Sequence, residues 1–183
     1  MRLLSPRFTQ CLAVVAVLFT VPAGASDKSQ AGIRFSVDVA EDFSRFVLTD
    51  VNQASAGQPV RGSWFLTDGR IFRGGTIQGD GAAFDPGQSG SIGTWHCRGT
   101  HVADFDPANP IWVLTSQLFL LPGLSKSLAT DGLEGSQRVV RVVTGGTGMF
   151  KGYVGEQHQQ FLGFNATGGV NLRVTFILRK AVN

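Results

Sequence analysis

The chain has 183 residues, 16 Lys and Arg against 13 Asp and Glu, a net charge of +3, and 43% hydrophobic residues. The basic residues are scattered, which argues against the clustered positive footprint of a nucleic-acid partner. The two cysteines, Cys11 and Cys97, are too few to staple a fold, so stability must come from a hydrophobic core.

At the N-terminus, Arg2 and Arg7 precede an uncharged run from Phe8 to Ser26 with the apolar centre CLAVVAVLFTV and the small residues Ala23-Gly24-Ala25. That order is a cleavable export signal over 1–25. Its apolar centre is about ten residues, short of the roughly 20 a spanning helix needs. The expectation is a secreted or periplasmic protein with no membrane span, whose residues 26–183 form a single domain.

Beyond the signal the dominant period is two. Ile33, Phe35, Val37 and Val39 alternate with Arg34, Ser36 and Asp38, as in a strand with one wet face. Further strands are predicted at 43–51, 60–66 and 69–77, with Asp68-Gly69 as a two-residue hairpin between the last two. Strands follow at 91–103 and 110–121, the latter apolar on both faces, whereas Gly123–Gly135 holds at most one helical turn. The last strands are 137–144, 153–164 and 170–178, where Val170, Leu172, Val174, Phe176 and Leu178 alternate with polar residues. No 3.6-residue apolar stripe competes with this pattern. The predicted fold is all-β, an eight-stranded, mostly antiparallel closed barrel, because closure removes exposed edges. Such a barrel has room for packed side chains or one small ligand.

Candidate chemistry is sparse. The stretch VVTGGTGMFKG, 142–152, looks like a phosphate loop, but it lacks both the nucleotide-fingerprint spacing and a following helix. Its glycines are better read as a turn, with Phe150 folding back onto the core. His96 and His101, five apart in a strand, face opposite ways and cannot share a metal, so no metal site is expected. His96 and Cys97 are sequence neighbours and face apart too, which excludes a direct Cys/His pair. In EQHQQF both faces are polar, so Glu156 and His158 belong either to a solvated edge or to a polar patch inside a cavity. Asn165-Ala166-Thr167 is a glycan acceptor sequon.

The run from Val143 through Gly145, Gly146, Gly148, Phe150 and Gly152 to Gly155-Glu156 resembles the G-G-[TA]-G-x-F-x-G signature of plant allene oxide cyclases and dirigent proteins. The likeness continues through Gln159–Leu162 and the closing strand, and more loosely over Gly90–Val102, covering about residues 90–180. The resemblance implies a barrel with an apolar cavity, no cofactor, and a homo-oligomer, trimer or dimer. It also implies guidance of a small hydrophobic molecule through a stereoselective cyclisation or isomerisation by confinement. Two alternatives stay open: a carrier without catalysis, and dirigent-like steering of phenolic intermediates. The dirigent branch usually has arginine soon after the signature, where this chain has Lys151 and Val154. By analogy with the cyclases' early-strand glutamate and cavity cysteine, the catalytic candidates are Glu41 or Asp38 and Cys97. The cavity candidates are Trp95, Glu156, His158 and Phe161.

Overall fold

A computed structural model describes residues 32–49, 59–104, 111–121 and 125–182. The export signal predicted over 1–25 lies outside the described residues. Among the described residues nine strands occur: β1 (Ile33–Glu41), β2 (Val47–Thr49), β3 (Trp64–Arg73), β4 (Gly93–His101), β5 (Ile111–Leu121), β6 (Lys126–Gly135), β7 (Val139–Gly146), β8 (Tyr153–Phe164) and β9 (Val170–Lys180). From β3 to β9 each strand pairs antiparallel with the next. β1 then pairs with both β9 (Phe35 opposite Phe176) and β3 (Val39 opposite Ile71), closing an eight-stranded barrel. β2 continues the edge of β1 along β3 after a helical turn at Phe43–Arg45. Among the described residues no helix is long and apolar enough to cross a membrane.

Several sequence expectations need correction. The strand expected at 43–51 starts with that turn, because the Asp42 carboxylate accepts from the Ser44 amide and hydroxyl and caps it. Asp68-Gly69 is no hairpin: both lie inside the continuous strand β3. Gly69 is needed there because β1 crosses against it, and a Cβ would stand 2.3 Å from the Ala40 carbonyl oxygen. The segment expected to hold a helical turn supplies β6, whose inward residues Leu128, Thr130 and Glu134 keep the period of two. β5 is not apolar-packed on both sides, since Leu114 and Leu118 face outward and are exposed.

One end of the barrel is packed solid. Phe176 stacks on Phe35 and meets Phe119 edge-on, both with centroids 5.0 Å apart, while Phe35 stacks on Phe150. Leu128, Val174 and Leu178 fill the remainder. Phe150 arrives from the helical turn Gly148–Phe150, which enters through Gly148 at φ 59° with its α-carbon side against the Ser125 carbonyl. The outer face of β1 and β9, read as wet, is partly covered by the segment 74–92. There Ile77 and Phe84 pack on Ala40, Phe72 and Leu162 as a second small core. Asp38 and Asn171 are fully buried beneath it.

Candidate functional site

The end opposite the aromatic plug is open. A cavity of about 310 Å³ runs inward from there, between Phe43, Phe46, Phe65, Trp112, Phe161 and Phe164 at the wider end and Trp95, Cys97 and Leu172 within. That volume lies at the low end of ligand pockets, roughly 300–1,000 Å³, and suits a molecule of a few rings. Aromatic contacts hold the rim: Phe46 stacks on Phe65, and Phe161 meets both Trp112 and Phe164 edge-on.

Two carboxylates reach this apolar wall. Glu41, at the end of β1, is 5% exposed. Its Oε1 accepts from the Thr67 hydroxyl at 2.6 Å and its Oε2 from the Val170 amide at 2.8 Å. Burial raises its pKa above the ordinary carboxylate value, although those two hydrogen bonds act the other way. Its backbone carbonyl is held by the Asn165 side-chain amide at 2.8 Å. The sequon asparagine is thus a buried organiser of the loop between β8 and β9.

Glu134, near the end of β6, is the second. Its Oε1 accepts from Gln117 at 2.5 Å and from Gln159 at 2.7 Å. Gln157 in turn donates to the carbonyl oxygens of Gln117 and Gln159 at 2.8 and 2.9 Å. Every amide in this chain of buried glutamines directs its protons toward the next acceptor, and the chain ends at the carboxylate. Such a network fixes the carboxylate's orientation and offsets part of the cost of burying it. Oε2 of Glu134 faces the Cys97 thiol at 3.8 Å. Burial, then the neighbouring Glu134 charge, pushes the Cys97 thiol well above its usual range, so it stands on the wall as a neutral thiol.

Behind this layer lies Arg141 of β7, which is 1% exposed. It donates to the carbonyl oxygens of Gly132, Leu133 and Thr115 at 3.1, 3.2 and 2.9 Å. Burial lowers its pKa and the nearby Glu134 charge opposes that shift, so the guanidinium remains cationic. It is a countercharge behind the wall rather than part of the lining. Trp95 lines the cavity, and its indole N–H has no acceptor among the described residues.

The residues singled out from the sequence therefore divide. Glu41, Trp95, Cys97 and Phe161 line the cavity. Asp38 does not reach it: odd-numbered residues of β1 face inward, and Asp38 points out beneath the 74–92 segment. There its carboxylate is paired with Arg173 at 2.9 Å and accepts from the Ile77 amide at 2.8 Å. Glu156 and His158 also lie on the outer face, exposed and paired with each other at 2.9 Å; the inward members of that strand are Gln157 and Gln159. Gly145 and Gly146 end β7, while Gly148, Phe150 and Gly152 form the turn into β8, remote from the cavity. Among the described residues no cluster of three or more His, Cys, Asp or Glu could hold a metal. Glu134 and Arg141 escaped notice in the sequence. Reading Leu128 and Thr130 as strand would have carried the period of two to Glu134, whereas Arg141 sits between valines on both faces and gives no such signal.

No family model matches the chain, and no curated protein matches it in sequence. Solved structures do. A pterocarpan synthase dirigent protein, PsPTS1, superposes with a TM-score of 0.59 at 12% identity over 87% of this chain and 100% of its own. A second, GePTS1, gives 0.56 at 14% identity over 86% of this chain and 94% of that one. The chain has the dirigent-type barrel fold. A pyocyanin demethylase also shares it, with a TM-score of 0.54 at 14% identity, covering 80% of this chain and 99% of that one. At such identities the likeness concerns the fold, and the chemistry of this dirigent-type barrel has to be argued from its own cavity.

Proposed function

We propose that this chain is an exported dirigent-type barrel that binds a small hydrophobic molecule in its cavity and guides a stereoselective cyclisation or isomerisation. The observation that carries the reading is the one-ended apolar cavity with two anchored carboxylates, Glu41 and Glu134, on its wall. The walls restrict the conformers of a bound reactive molecule. Glu134, held by Gln117 and Gln159, stabilises positive charge as it develops or accepts a proton. Glu41, whose pKa burial raises above the ordinary carboxylate value, is a second group on the wall able to exchange a proton with the bound molecule.

A carrier needs only the apolar wall, and two buried carboxylates are costly ornaments for one; they favour catalysis over carriage. The test uses a neutral, racemising allylic epoxide with and without protein, scored by product enantiomer ratio. The expected result is an excess of one enantiomer that falls in the Glu134→Gln variant. Racemic product at the uncatalysed rate counts against cyclase activity on that class. Saturable binding alongside a racemic product would shift the assignment to a carrier.

A further inference from the structure

The charges around the cavity are one-sided. Among the described residues its lining carries Glu41 and Glu134 within and Asp104 at the rim, and no lysine or arginine. Among the described residues every Lys and Arg except Arg141 and Arg173 is exposed. Arg173 is paired with Asp38 on the outside of the barrel, and Arg141 is occupied by three backbone carbonyls behind the wall. The one other basic group on the lining is His101, half-buried, with Nδ1 3.3 Å from the Ser63 carbonyl. Burial lowers its pKa, so it adds no positive charge near neutral pH. The sequences 50–58 and 105–110, which adjoin rim residues Pro59 and Asp104, contain no lysine or arginine either.

A ligand carboxylate or sulfonate entering here would leave water, meet no cation on the wall and face two or three carboxylates. That is a large unfavourable term with no cation to offset it; the Trp95 indole N–H, which has no acceptor among the described residues, sets only one neutral hydrogen bond against it. A ligand N–H or O–H, by contrast, finds an acceptor: among the described residues Oε2 of Glu134 has only a long thiol contact at 3.8 Å. From this charge pattern, and resting on the cavity reading above, we infer that the barrel selects neutral or cationic ring-sized molecules bearing a hydrogen-bond donor and rejects anions, fatty-acid carboxylates included.

Two fluorescent probes of nearly the same shape test this. N-phenyl-1-naphthylamine is neutral with one N–H; 8-anilino-1-naphthalenesulfonate adds a sulfonate to the same skeleton. Titrated into the whole protein at pH 7.5, the neutral probe binds at least about tenfold more tightly than the sulfonate, as an unpaired charge in an apolar site demands. Glu134→Gln keeps the shape and can still accept from Gln117 and Gln159, so it narrows that gap several-fold. Glu41→Gln serves as the second variant should the first fold poorly by circular dichroism. Competition by decylamine but not by decanoate is the third expected result.

Equal or tighter binding of the sulfonate, or a gap unchanged in both variants, overturns the charge selection while leaving the cavity reading standing. If neither probe binds, the cavity reading itself falls, and the selection with it.

Discussion

Replacing Arg141 by methionine tests whether a buried charge holds the barrel's middle layer together. The side chain is 1% exposed, and its guanidinium makes three hydrogen bonds, to carbonyls of Thr115 on β5 and of Gly132 and Leu133 on β6. Its charge also interacts with that of Glu134. Methionine fills much of the volume but donates nothing, leaving those carbonyls short of a donor and Glu134 without that countercharge. Each hydrogen bond from a charged group contributes about 1.5–3 kcal/mol, and stripping one partner from buried charges costs about 3–5 kcal/mol; because these describe overlapping effects, the expected loss is about 3–5 kcal/mol. For a domain of this size 1 kcal/mol corresponds to about 2–4 °C, which puts the drop in Tm near 10 °C or more. Thermal and urea unfolding followed by circular dichroism measure it directly. The double variant Arg141→Met/Glu134→Leu removes both charges and should lose less than the two single losses combined. A single variant within about 1 kcal/mol of the parent would refute the reasoning, as would strict additivity in the double variant.

Gly69→Ala drives a methyl group into the Ala40 carbonyl where β1 closes on β3, and should cost about 1–3 kcal/mol or more by the same unfolding assay; a neutral effect would show that the closure is looser than the register implies. Glu41→Gln can still accept from the Val170 amide while donating to the Thr67 oxygen, and it removes a carboxylate whose folded pKa is raised. A raised pKa means the folded state holds the proton more tightly. The parent's stability from this group is therefore full below the unfolded carboxylate pKa and lost as pH rises through the folded one. The variant's stability relative to the parent should accordingly grow from pH 4 to pH 8, and a pH-independent difference would contradict the burial of a charge at this site.

Much of the barrel was legible because its strands alternate strongly. The runs Ile33–Val39 and Val170–Leu178 state which residues face the core, and both are core strands paired with each other in register. Gln157 and Gln159 lay in a strand whose two faces look alike, so the sequence offered no way to choose which face was inside. Asp38 looked like a wet-face or catalytic carboxylate because its partners, Arg173 and the Ile77 amide, lie far along the chain. Asp68-Gly69 carried a local turn signal that lost to a tertiary one, since only the crossing of β1 reveals why glycine stands there.

The sequence by itself determined the all-β class, the antiparallel meander and most inward-facing apolar residues, because those follow from a period of two written locally along the chain. Tertiary structure alone decided which polar residues meet inside. Glu41 at the end of β1 and Glu134 on β6, on opposite sides of the closed sheet, face one cavity only when β1 pairs with β3, and the glutamines that orient Glu134 come from β5 and β8. Closure also consigns Asp38 to the outside, since one residue along a strand turns a side chain to the opposite face of the sheet.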